Sequence, residues 1–175
     1  LGDIHPDYAV IVYNLAGLYE SKGEYTKAEQ LYLKASNVWK KSEGIEHPHY
    51  ASALNNLGYL YNSMGEYAKA ESFYIEAITI RKKILGENNP DYAGSLNNLA
   101  TVYKKMGEYV KAETLYAEAL NIRKRILGET HPDYATSLNN LGSLYINIGN
   151  FSKAELLYIE ALSIRKNVLG EKHQD

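Results

Sequence analysis

The sequence predicts an all-α solenoid of four helix-turn-helix units, and three observations carry that prediction. The chain repeats itself at a shift of 42 residues: Gly23, Gly65, Gly107 and Gly149 fall in one register, and Ala28, Ala70, Ala112 and Ala154 in another. Apolar side chains recur at helical spacing, and no segment alternates with period two. Proline opens the periodic stretches and glycine closes them, the asymmetry expected of helices. Residues 1–175 therefore read as a single array, with repeats at approximately 3–44, 45–86, 87–128 and 129–170. Fragments of flanking repeats are read at 1–2 and 171–175, since Leu1-Gly2 aligns with Leu85-Gly86 and His173 with His131.

The third unit shows how each element is specified. Asn89-Pro90-Asp91 supplies a cap, a proline at a first helical position and an acid beside the positive end of the helix dipole. A helix starts there and carries Leu96, Leu99, Val102 and Tyr103 on one side; Met106-Gly107-Glu108 then turns the chain. The second helix starts near Tyr109 and carries Ala112, Leu115, Tyr116, Ala119, Leu120, Ile122, Ile126 and Leu127. Arg123, Lys124 and Arg125 suit its negative end, and Gly128 stands where a left-handed terminator is expected.

Seventeen tyrosines against one tryptophan and two phenylalanines follow from the repeat. Tyr8, Tyr50, Tyr92 and Tyr134 form one column; Tyr19, Tyr61, Tyr103 and Tyr145 a second; Tyr32, Tyr74, Tyr116 and Tyr158 a third. A fourth holds Tyr25, Tyr67 and Tyr109, with Phe151 completing it. These tyrosines read as architecture, and only Tyr13 and Tyr59 stand outside the columns.

Composition narrows the function. There is no cysteine, so disulfides, thiolate metal sites and cysteine nucleophiles are excluded. Nineteen basic residues against 21 acidic ones leave a net charge of −2, which points to no polyanionic partner. No apolar run approaches the roughly 20 residues of a membrane span, and no signal peptide is evident, so a cytoplasmic chain without membrane contact is expected. No phosphate-cradling glycine loop or nucleophile motif occurs, and everything conspicuous occurs four times, whereas catalysis needs a unique constellation. The chain is expected not to be an enzyme and to carry no cofactor.

In the second unit Leu54, Leu57, Gly58, Tyr61, Ala70, Tyr74 and Ala77 match the spaced large-small-aromatic signature of the tetratricopeptide repeat. The 42-residue period, the His-Pro-Asp-Tyr-Ala opening and the Leu-Asn-Asn-Leu core resemble the repeats of kinesin light chain and similar bacterial proteins. The resemblance spans essentially the whole chain. It implies a right-handed superhelix, a non-catalytic scaffold role and a concave groove lined by the first helix of each pair. Kinesin light chain also has a coiled-coil segment, and no heptad region occurs here, so motor-driven transport is not implied.

A turn of about 100° per residue locates the arc of each first helix opposite its packed side. In the third unit this arc holds Gly94, Asn97, Asn98, Thr101, Lys104 and Lys105. Asn14, Asn56, Asn98 and Asn140 recur in every unit, joined by Asn55, Asn97 and Asn139 in three. A carboxamide both donates and accepts, so such a ladder suits the backbone of an extended peptide; it suits ties between neighbouring repeats as well. Selectivity is expected from positions that vary, among them Tyr59, Asn62, Lys104, Lys105 and Asn147, together with Tyr13, Glu20 and Ile146. A protein or peptide is the expected partner. The tetratricopeptide clamp for a carboxylate tail is not expected, because only the third unit has lysines on the arc.

Four of the five histidines, His5, His47, His131 and His173, occupy one helix-start position and read as caps, with no metal site expected. Arg81-Lys82-Lys83, Arg123-Lys124-Arg125 and Arg165-Lys166 would form a basic stripe, but nearby Glu87, Glu129 and Glu171 and the helix dipole account for them without nucleic acid. Solenoid ends normally carry a polar cap. Neither end does so here, which predicts exposed apolar surface on the last helix around Leu157, Ala161 and Ile164 and end-to-end self-association. The competing function is thus a structural or regulatory array without a dedicated peptide ligand.

Overall fold

The computed structural model describes residues 5–169 of the 175. Eight α-helices and no strand are present among the described residues, paired consecutively as helix-turn-helix repeats of the all-α solenoid class. One compact unit, Leu1–Gly86, holds α1 (Pro6–Ser21), α2 (Tyr25–Ser42), α3 (Pro48–Ser63) and α4 (Tyr67–Leu85). The other, Glu87–Asp175, holds α5 (Pro90–Met106), α6 (Tyr109–Leu127), α7 (Pro132–Asn147) and α8 (Phe151–Leu169). Within each unit every helix packs on the next in sequence, so the second helix of one repeat is shared with the first helix of the following one.

Local chemistry sets the helix starts as expected. His5, His47, Asn89 and His131 adopt extended backbone, and each side chain accepts the amide hydrogen of the residue two positions on. Proline follows in every case. His173 lies outside the described residues. Gly107 ends α5 in the left-handed region, at φ 80° and ψ 6°. Gly128 departs from expectation: its φ of 85° is paired with ψ of 166°, an extended conformation essentially reserved for glycine, so it straightens the chain after α6 where a left-handed terminator would have curled it back.

The two helices of a pair meet through small residues. Ala28, Ala70, Ala112 and Ala154 are fully buried, and the Tyr74 ring lies so close to Gly58 that an added Cβ would come within 2.9 Å of it. Tyr32, Tyr74 and Tyr116 are buried beside them.

Two tyrosine columns make directed bonds. Tyr50, Tyr92 and Tyr134 each donate to the glutamate 26 residues later, Glu76, Glu118 and Glu160, at 2.9, 3.2 and 3.0 Å, joining the two helices of one repeat. Tyr61 donates to Glu29, and Tyr145 to Glu113 at 2.6 Å, joining a first helix to the second helix of the preceding repeat. A lysine ammonium sits over Tyr19, Tyr61, Tyr103 and Tyr145, about 5 Å from the ring centroid.

The last helix corrects one expectation. Ala161 and Ile164 are buried against Tyr134, Ala135 and Leu138, with Leu157 packed beside them. They face their own partner helix. The exposed apolar face is instead Leu156, Ile159 and Leu162, with Phe151 at its start.

Tyrosine chemistry makes the fold alkali-sensitive. Burial, and then the hydrogen bond and negative charge of the facing glutamate, push the Tyr50, Tyr61, Tyr134 and Tyr145 hydroxyls up to about 12. An unfolded tyrosine ionises near pH 10, so the protonated hydroxyls contribute stability that is complete below about pH 10 and lost as pH rises through about 12. In an alkaline titration, the phenolate absorbance of these four tyrosines should appear together with loss of helical circular dichroism. Titration of these hydroxyls near pH 10 with the helices intact would contradict the assignment.

Candidate functional site

The first-helix arcs divide into side chains that hold repeats together and side chains that face outward. Asn56 donates from Nδ2 to the Tyr13 hydroxyl at 2.7 Å, and more distantly to the Tyr32 hydroxyl at 3.4 Å. In the second unit, Asn140 donates to Asn97 Oδ1 at 3.0 Å. These two bonds are equivalent, because Tyr13 stands in the column of Asn97. Both tie the first helix of one repeat to the first helix of the next.

Burial follows from this. Asn97 is 7% exposed and Asn62 is 8% exposed, although the helical wheel put both on the outward arc. The reason is visible in the second unit, where Lys104, the counterpart of Asn62, reaches Ser143 Oγ at 2.9 Å on the next first helix. In that unit the column therefore lies between successive first helices. Burial, with the charge of Lys105 adding to it, pulls the Lys104 ammonium below its ordinary range. Asn62 Oδ1 is buried without a hydrogen-bond partner.

Other positions face outward. Asn14, Tyr59, Lys105, Asn139 and Asn147 are exposed, while Asn55 and Asn98 are partly so. Tyr59 is half exposed and forms, with Glu20, Ser21, Tyr25 and Ser63, the wall of a depression of about 190 Å³ on the first unit. Glu20 is fixed there by the Tyr32 hydroxyl, which donates to it at 2.7 Å. In the second unit Ile146 is exposed on the same arc. Tyr13 belongs to the packing: its ring lies edge-on to Tyr32 and Trp39, each with centroids 5.4 Å away. Its position in an asparagine column was the available signal for that role.

The basic helix ends are built into the fold. Arg81 and Arg123 are each 9% exposed, and Arg123 donates to Ser137 Oγ at 2.8 Å and to the Asp133 carbonyl at 3.2 Å. Arg125 donates to Asn88, Lys83 pairs with Glu46, and Lys124 pairs with Glu129 at 2.5 Å. No helix among the described residues is long and apolar enough to cross a membrane.

The chain combines helix pairs, small-residue contacts and an arc of polar side chains on the first helices, and the tetratricopeptide repeat model matches residues 7–83, 54–125 and 91–167. The chain belongs to the tetratricopeptide repeat family. Among solved structures it is similar to BtubC (BKLC) from P. vanneervenii, with a TM-score of 0.85 and 29% identity over 98% of this chain and 68% of that one. A Podosopora anserina kinesin light chain-like protein of nearly identical TPR-like repeats superposes with a TM-score of 0.78 and 23% identity, over 96% of this chain and 80% of that one. A point-substituted form of the same protein gives 0.81. A search of curated proteins returned no match. The repeats of this chain thus share their fold with kinesin light chain-like repeats, in a family whose members generally serve as protein-interaction scaffolds.

The division of the asparagines has a measurable consequence. Asn56→Ala and Asn140→Ala each remove a bond between first helices and should lower unfolding free energy by about 1 kcal/mol. Asn14→Ala and Asn147→Ala, at exposed positions, should stay within about 0.5 kcal/mol of wild type. Urea titrations of the four variants provide the check, and equal losses at all four would show that the ties add no stability beyond that of the exposed asparagines.

Proposed function

We propose that the protein is a cytoplasmic, non-catalytic interaction module whose four repeats work as one array and whose first-helix arcs capture an extended segment of a partner protein. The match to the family model over 54–125, which spans the boundary between the two compact units, supports a single array. One observation carries the binding reading: the half-exposed Tyr59 beside Glu20, an aromatic and a carboxylate at positions where the repeat supplies neither in any other unit. A tyrosine combines a rigid apolar face with a polar tip, which suits recognition at low entropic cost.

In this reading Asn14, Asn55, Asn98, Asn139 and Asn147 contact peptide backbone, Tyr59 and Lys105 select the sequence, and Asn56, Asn97 and Asn140 fix the spacing of the helices. Asn62, buried on α3, and Lys104, bonded to Ser143 on α7, contribute by holding the first helices in place. Peptide-library display against the wild-type protein and Tyr59→Ala, with melting curves unchanged, tests the proposal. A motif enriched on wild type and weakened about tenfold or more on the variant is the expected result. No enriched motif, or one enriched equally on both, would refute it.

A second reading, self-association, has its own support. Ile11, Leu15 and Leu18 on α1 are exposed, whereas their counterparts Ala53, Leu57 and Leu60 are buried. Leu162 on α8 is 68% exposed, whereas its counterpart Leu120 packs against the α7 cluster. The two apolar faces use the same chemistry as an internal repeat boundary, so head-to-tail stacking of copies is expected at high concentration. Light scattering should show association that rises with concentration and is abolished in Ile159→Glu/Leu162→Glu; a wild-type chain monomeric at all concentrations would remove this reading.

A further inference from the structure

One junction breaks the repeat in a coordinated way. In the column of Arg81, Arg123 and Arg165 the first repeat has Trp39; in that of Leu85 and Leu127 it has Glu43; and where Asp7, Asp91 and Asp133 stand at a helix start, α3 has His49. The structure brings these replacements into contact. The His49 and Trp39 rings lie 5.1 Å apart, and His49 Nδ1 is 3.1 Å from Glu43 Oε2. His47, the cap of α3, places its own Nδ1 2.8 Å from the same oxygen.

That geometry presents three ligand atoms to one point. As a cap, His47 Nδ1 must present its lone pair to the His49 amide, at a long 3.4 Å. A proton on His47 Nδ1 satisfies the 2.8 Å contact with Glu43 but takes the lone pair from the cap, whereas a metal ion in its place would join the carboxylate to both imidazoles at once. Ligand atoms of all three residues lie within 4.8 Å of one another. The 2.8 and 3.1 Å separations are close to the donor-to-donor edge of about 3.3 Å in a tetrahedral site with bonds of about 2.0 Å.

From this we infer that Glu43, His47 and His49 form a binding site for a divalent transition ion of the Zn²⁺ type, with two imidazoles, one carboxylate and a solvent position. This departs from the sequence reading, in which His47 is a cap and no metal is held. Glu43 is the C-cap of α2 and His47 the N-cap of α3, so the ion would clasp the connection between the first and second repeats and fix the angle at which they meet. Imidazole nitrogen with a single carboxylate favours Zn²⁺ over Mg²⁺ or Ca²⁺, which prefer oxygen ligands.

Trp39, the one tryptophan of the chain, reports on the site because its ring lies against His49, tilted by 33°. The full chain, freed of any polyhistidine tag and treated with chelator, is titrated with Zn²⁺ while Trp39 fluorescence and melting temperature are followed. A saturable change with one-to-one stoichiometry is expected, with a melting-temperature rise of about 5 °C at a hundredfold excess over Kd. Two variants preserve the fold by borrowing residues the repeat already uses: His47→Asn, since Asn89 caps α5 in the same way, and Glu43→Leu, since Leu85 and Leu127 occupy that column. Each should weaken Zn²⁺ binding about tenfold or more. The site is refuted if wild type shows no saturable response, if both variants respond with wild-type affinity, or if Mg²⁺ reproduces the effect.

Discussion

The architecture depends on the tyrosine hydroxyl. A ring at these positions fills the space between helices, and phenylalanine would fill it equally well. What phenylalanine lacks is the donor that Tyr50, Tyr92 and Tyr134 direct across a helix pair and that Tyr61 and Tyr145 direct back to the preceding repeat. An apolar face alone is non-directional and permits helices to slide by a turn. A bond to one glutamate on one turn fixes the register, and a lysine over Tyr61 and another over Tyr145 add attraction to those rings. The excess of tyrosine over phenylalanine is therefore a structural requirement repeated within both units.

Close approach of the helices is the second condition, since a phenol reaches its glutamate only when the pair is near. The buried alanine column supplies this, as does Gly58 against the Tyr74 ring. Where the chain must leave a helix in an extended path, Gly86 and Gly128 adopt backbone that other residues avoid. Helix spacing, connection geometry and hydroxyl bonds thus form one set of mutually dependent choices.

Much of this was legible in the sequence because it is local. Caps at His5, His47, Asn89 and His131, the turn at Gly107 and the helix periodicity depend on neighbours a few residues away. What resisted reading depends on which repeat faces which. A wheel drawn for a single helix cannot distinguish an arc facing solvent from one facing the next first helix, so Asn97 and Asn62 were placed outside and prove to be buried. Arg81 and Arg123 were read as helix-end charges, whereas their guanidinium groups lie inside the fold, where Arg123 meets Ser137. On α8 the same ambiguity exchanged the packed face of Ala161 and Ile164 for the exposed one of Leu156, Ile159 and Leu162.

Recurrence and function separate along the same line. A side chain that must meet its own counterpart, or a fixed partner, in every repeat is constrained to recur, and Asn56 with Tyr13 and Asn140 with Asn97 show two solutions to one such constraint. A side chain that meets a partner protein or an ion is needed once. The column of Glu20, Asn62, Lys104 and Ile146 and that of Gly17, Tyr59, Thr101 and Ser143 carry a different residue in every repeat while the surrounding core stays the same. Lys104 with Ser143 and the buried Asn62 vary within the packing itself, whereas variation at the outward-facing Tyr59 and Ile146 lies outside the rules that fix the scaffold. Its source has to be something that differs along the array, and at Tyr59 on the arc and at Trp39, Glu43 and His49 on the first junction the off-pattern residues gather in space.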